Sequence, residues 1–149
     1  MVCLGNICRS PIAEGLLRHK IQQHGLDWKV ASAGTEPYHV GSAPHEFSQN
    51  ICAMNGVDIS SQRARQFTAA DFGQYDKIYA MAEDVYEEIK RIGGRKGDMS
   101  KVELFLNELE PSSNASVPDP WSGQEDAYVP VYNMIDRTCD AIIAKYSYF

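Results

Sequence analysis

The stretch Cys3-Leu4-Gly5-Asn6-Ile7-Cys8-Arg9-Ser10, running into Pro11-Ile12-Ala13-Glu14, constrains the fold more than any other part of the chain. A cysteine and an arginine separated by five residues close a small loop around one tetrahedral oxyanion. Gly5 and Asn6 are residue types that adopt positive φ at low cost. Such a loop turns successive N–H groups of residues Leu4 to Arg9 inward as an anion-binding nest. Ser10 reads as an N-cap and Pro11 as the first helical residue, so a helix is expected directly behind the loop. Its positive dipole end faces the same anion.

The residue types then set the chemistry. A free thiol titrates near ~8.5, and a nest, a helix N-terminus and a guanidinium together lower that to roughly 3.5–7.5. Cys3 is therefore expected as a thiolate, competent as a nucleophile toward phosphorus. Arg9 offers a planar fork that holds two phosphoryl oxygens at once, which lysine does not. The Ser10 hydroxyl is placed to donate to the Cys3 sulfur when it departs as a leaving group. The bland alternative is a turn, a capped helix and two incidental cysteines. The coincidence of cap, glycine, arginine and thiol speaks against it.

These residues carry a resemblance. The run Val2 to Glu14 resembles the phosphate-binding loop of the low-molecular-weight protein tyrosine phosphatases, and the similarity extends over nearly the whole chain. Ser32-Ala33-Gly34-Thr35, Arg63-Ala64-Arg65-Gln66 and Tyr75-Asp76-Lys77-Ile78-Tyr79-Ala80-Met81 are similar to further family segments. Val117-Pro118-Asp119-Pro120-Trp121 resembles the loop that carries the family's general acid. The resemblance implies hydrolysis of phosphotyrosine in proteins through a phosphocysteine on Cys3, with inorganic phosphate or sulfate as occupants of the loop and no cofactor. Arg9 is then the phosphoryl binder, Asp119 the acid and base, Asn6 and Ser32 loop supports, and Leu4, Ile7, Tyr38 and Trp121 the apolar cleft walls. Relatives that hydrolyse phosphoarginine resemble this loop with threonine at the position of Ile7. The resemblance also implies a reversible disulfide between Cys3 and Cys8 that shields the nucleophile.

Composition agrees. A chain of 149 residues with 44% hydrophobic and 23% charged residues suits a single globular domain over 1–149. The net charge of −6, without a basic tract, argues against nucleic acid as a partner. No apolar run approaches a membrane span and no signal-peptide layout is present. Four scattered cysteines make no disulfide framework, which points to a reducing cytosol. Cys3 and Cys8 lack the second ligand pair of a metal site.

Periodicity gives a β-then-α alternation: helix 11–24, strand Trp28 to Ala33, helix Pro44 to Asn55 ended by Gly56, strand Ile78 to Met81, helix 83–92 stopping at Gly93-Gly94, and strand Val102 to Leu106. Tyr128, Tyr132, Ile135, Cys139, Ile142 and Tyr146 mark a final helix. Gly15, inside the first helix, implies close packing on the sheet. The expected fold is α/β, a doubly wound, four-stranded parallel sheet of order 2-1-3-4 with helices on both faces. Family members have several residues of strand before the nucleophile, whereas only Met1 and Val2 precede Cys3 here. The first strand is thus expected to be shortened. Either the sheet tolerates a stub or Met1 is internal to a longer protein.

Trp121-Ser122 stands where many members carry two tyrosines, and Gln62 and Ala82 are expected to break a polar network that Glu14 shares in some relatives. His19 and His24 read as polar-face helix residues, His39 and His45 as solvated loop residues, and Cys52 and Cys139 as buried structural thiols. Two other functions compete. A thioredoxin-coupled arsenate reductase needs a closely spaced cysteine pair late in the chain, where only Cys139 lies. A catalytically dead phosphotyrosine-binding module has no need of nucleophile, arginine and acid together.

Overall fold

Val2–Cys3 forms strand β1, and the chain returns to the same sheet as β2 (Ala33–Gly34), β3 (Ile78–Ala80) and β4 (Val102–Leu104). The computed structural model describes residues 1–147. The strand order is β2-β1-β3-β4, and every pairing is parallel. Parallel neighbours need crossovers, and these are supplied by helices α1 (Arg9–Gln23), α2 (Glu46–Met54), the single turn α3 (Asp71–Gln74) and α4 (Glu83–Gly93), with α5 (Tyr128–Tyr146) closing the chain. The doubly wound sheet is the one that the alternating pattern implies.

Helices cover both faces of the sheet, and the strands alternate between them. Tyr79 and Met81 join a core with Ile12, Leu16, Ile135 and Ile142 of α1 and α5. Ile78 and Ala80 join the opposite core with Phe67, Phe72, Val85 and Ile89. A period of two in β3 therefore feeds two separate apolar layers. Cys52 and Cys139 are fully buried, as their apolar faces suggest. Gly56 and Gly94, both at positive φ, end α2 and α4 as expected. No helix of the described residues is long and apolar enough to cross a membrane.

Three boundaries differ from the sequence reading, each for a tertiary reason. Helix α1 starts at Arg9 with Cys8 as its cap, and Ser10 makes no capping bond. Its hydroxyl lies 3.0 Å from the Cys3 sulfur instead. The strand expected over Trp28 to Ala33 is reduced to Ala33–Gly34. Beside it, Met1 N donates to Ala31 O and Met1 O accepts from Ala33 N. Beside Trp28–Ser32 lies a groove of about 800 Å³ bounded on its other side by Tyr75–Tyr79. Strand β4 stops at Leu104, opposite the last residue of β3, and Phe105–Glu108 continues as a 3-10 turn.

Gly15 does pack closely, but against the segment after α2 rather than the sheet. A Cβ there would sit 2.3 Å from Ile59 Cγ2 and 3.3 Å from Val57 Cγ1. Alanine would gain ~1 kcal/mol of helix propensity, yet overpacking a filled site typically costs roughly 1–3 kcal/mol. With contact this short the steric term wins. Gly15→Ala is expected to lower the urea midpoint at unchanged slope, a net loss of about 1–2 kcal/mol. A midpoint at or above that of the parent protein would show that Ile59 moves aside freely.

Candidate active site

The chain leaves β1 at Cys3 and re-enters regular structure at Arg9, so residues 4–8 form a loop at the C-terminal end of the central strand. Its carbonyls are tied outward to the scaffold. Cys3 O accepts from Thr35 N, Leu4 O from Glu36 N, Ile7 O from His45 N and Cys8 O from the Ser48 hydroxyl, at 2.8–3.2 Å. The N–H groups of Gly5, Ile7 and Cys8, in contrast, have no protein acceptor among the described residues. Turning the oxygens out leaves a ring of donors facing in, backed by the positive end of α1.

Asn6 holds the ring in shape. It adopts φ 58°, and its N–H points at Cys3 Sγ from 3.3 Å. Its amide nitrogen donates to Ser10 Oγ at 2.8 Å and Ser32 Oγ at 2.9 Å, while its oxygen accepts from Arg65 N at 3.0 Å. Asn6 and Ser32 are thus bonded to each other beneath the loop. Gly34 lies beneath, with space for no Cβ, which would come within 2.8 Å of Leu4 O.

Arg9 is 5% exposed, donates to Val117 O at 3.0 Å and stands 3.7 Å from Asp119 Oδ2. Val117 N in turn donates to Met81 O, so the segment bearing Asp119 hangs from the end of β3. Asp119 is exposed, and its other oxygen accepts from Trp121 N at 3.1 Å. Cys3, Arg9, Ser10 and Asp119 therefore meet at one mouth. Of the expected cleft walls, Leu4, Tyr38 and Trp121 are exposed, at 38%, 72% and 52%. Ile7 is 8% exposed and packs in the buried core.

A sequence model for the low molecular weight phosphotyrosine protein phosphatases matches residues 1–147. The chain belongs to that family. It is similar to the low molecular weight phosphotyrosine protein phosphatase of Rattus norvegicus, with 35% identity over 97% of this chain and 92% of the relative. The crystal structure of YfkJ from Bacillus subtilis superposes with a TM-score of 0.89 at 34% identity, covering 98% of this chain and 91% of that one. Vibrio vulnificus Wzb in complex with benzylphosphonate superposes at 0.86 with 29% identity, over 97% of this chain and 94% of its own.

Family membership makes the local departures meaningful. Glu14 accepts from Arg18 at 2.6 Å and from the Ser32 hydroxyl at 2.7 Å, a network within this part of the fold. Gln62 donates to Pro11 O at 3.1 Å and leaves its buried oxygen without a partner. Ala82 contributes no side-chain bond at the start of α4. His39 and His45, read from sequence as solvated, instead join an aromatic cluster around Trp121, with ring centroids 5.7 and 5.3 Å from it. No local pattern signals this, because the rings meet only through the fold. His19 and His24 lie at or near the surface of α1.

All four cysteines are free thiols. Cys8 lies 3.3 Å from the Tyr128 hydroxyl, and burial pushes its thiol up to about 11. Burial raises Cys52 to about 12. Among the described residues no group of three His, Cys, Asp or Glu side chains could hold a metal ion. The raised thiols fix a sign for pH dependence. In the unfolded chain thiols ionise near ~8.5, while in the folded protein Cys8 and Cys52 hold their protons well above that. Their stabilising contribution is complete below pH ~8.5 and is lost as pH rises toward the folded values. The urea midpoint is expected to be level from pH 7 to 8 and to fall steadily above 9. A level profile to pH 10.5 would contradict the burial of these thiols.

Proposed function

We propose that the chain hydrolyses phosphotyrosine in proteins, by double displacement at Cys3. One observation carries this reading: the loop's carbonyls are bound outward, leaving unpartnered N–H donors around a cysteine sulfur, with a buried arginine and an exposed carboxyl at the same mouth. In the first step the Cys3 sulfur attacks phosphorus, the bond from phosphorus to the phenolic oxygen breaks, and Asp119 gives that oxygen its proton. The loop N–H groups and Arg9 carry the charge that builds on the equatorial oxygens. In the second step water attacks phosphorus, Asp119 takes a proton from it, and the sulfur leaves with its electron pair. Ser10 accepts a bond from Asn6, which leaves its own proton free to point at that sulfur.

The rim supports an aromatic substrate. Trp121, half-exposed and bonded to Asp119, and the exposed Tyr38 are the rings we assign to flank a phenyl group. The related Vibrio vulnificus Wzb was solved with benzylphosphonate, an aryl-bearing phosphonate. Arsenate reduction finds little support, since Cys139, the sole late cysteine, is fully buried in α5.

Purified protein is expected to release phosphate from aryl phosphates in the presence of a chelator, and to prefer phosphotyrosine peptides to phosphoserine or phosphoarginine. Cys3→Ser should abolish turnover yet still bind phosphate, because the donors and Arg9 remain. Asp119→Asn should slow hydrolysis by ~10²–10⁴, with a smaller deficit for good leaving groups. A Cys3→Ser protein with a tenth of the parent's activity would refute the covalent route. A preference for phosphoarginine would shift the substrate class.

A further inference from the structure

We propose that His45 is a positioning residue that seats the Asp119 loop over the phosphate loop, acting through the ring of Trp121. This rests on the reading of Asp119 as the proton donor. The acid loop is weakly held. Over residues 118–123, the ion pair of Asp119 with Arg9 at 3.7 Å is its sole polar tie to the rest of the described residues. Trp121 is half-exposed, yet its N–H fixes one oxygen of Asp119. Whatever holds Trp121 therefore holds the carboxyl.

His45 is placed to do so. Its ring meets Trp121 edge-on at 5.3 Å and an interplanar angle of 79°, while it stacks on Tyr128 at 5.6 Å and 20°. Phe47 closes a third side at 5.0 Å. The backbone is pinned too, since His45 N donates to Ile7 O of the phosphate loop at 2.8 Å. Its Nδ1 accepts from Phe47 N at 3.1 Å, capping α2, so in the neutral ring the proton sits on Nε2. Tyr128 leads back to the same loop through Cys8 at 3.3 Å. One residue thus ties the phosphate loop through its backbone and, through its ring, the starts of α2 and α5 and the acid loop. His39 supports Trp121 from a second direction and lies against Gly5, whose Cβ would come within 3.0 Å of it.

Two variants separate the ring from the cap. Asparagine is a strong N-cap residue without a ring to stack, and phenylalanine keeps a ring without the cap. The test measures kcat on aryl phosphates of graded leaving-group quality, together with the anisotropy decay of Trp121 in a Trp28→Phe background. His45→Asn is expected to keep its melting temperature, to lose about three- to tenfold on poor leaving groups and less than about twofold on good ones, and to free Trp121 motion. His45→Phe should melt earlier but keep the leaving-group slope and the anisotropy of the parent. A parent-like slope and anisotropy in His45→Asn would overturn the proposal, as would His45→Phe behaving like His45→Asn. If the parent protein hydrolyses no aryl phosphate, the phosphatase reading falls, while the anisotropy arm still decides whether His45 holds Trp121.

Discussion

Everything at the mouth depends on one carboxamide. Asn6 spends both amide protons on Ser10 and Ser32 and its oxygen on Arg65, so none of its polar capacity is idle in a 3%-exposed site. The direction of each bond then propagates. Ser32, having accepted from Asn6, gives its proton to Glu14, and Glu14 is neutralised by Arg18 at the surface. Ser10, having accepted likewise, is left with a proton for the sulfur. A surface guanidinium and a buried thiol thus lie at opposite ends of one ordered chain of donors. Buried networks of this kind are stiff when complete and costly when one member is missing. The same residue bends the backbone to positive φ, a conformation asparagine tolerates better than most side chains.

The frame around it grips the loop from outside. Strand β1 leads into it, and its oxygens are bound by Thr35, Glu36, His45 and Ser48. The sheet positions the loop's two ends, and segments after β2 and at α2 shape what lies between them. Asp119 arrives from β3 by a different route, through Met81 and Val117, and meets the loop at Arg9. Two independently anchored segments converge on one mouth, with aromatic rings bridging the gap.

What the sequence disclosed follows the range of the forces involved. The turn from Cys3 to Arg9 is legible because its requirements are local: positive φ at Asn6, a thiol, a guanidinium, and a helix start within ten residues. The order of strands followed from alternation and the switch it implies. The start of α1 was misplaced because Ser10 looks like a cap by type but is drawn to the sulfur by the fold. Trp28 to Ser32 has strand composition, yet strand needs a partner, and the ladder with β1 pairs only Ala33 and Gly34. The burial of Ile7 is set by packing across the fold, which the loop's own sequence does not show. The two histidines carried no signal at all, since stacking on Trp121 joins segments some eighty residues apart.

The supports of Asn6 lie far along the chain, Ser32 at a separation of 26 residues and Arg65 at 59. The sheet contacts of Val2 reach to Ala33 and Ala80. Closing such loops costs entropy before any contact rewards it, and non-local pairing slows folding. The loop that Asn6 shapes cannot acquire its form while α1 alone is in place, however strongly its local sequence favours the turn. It must wait until both crossovers have docked. In kinetic terms the site is a late product of folding, assembled only once the sheet beneath it is committed.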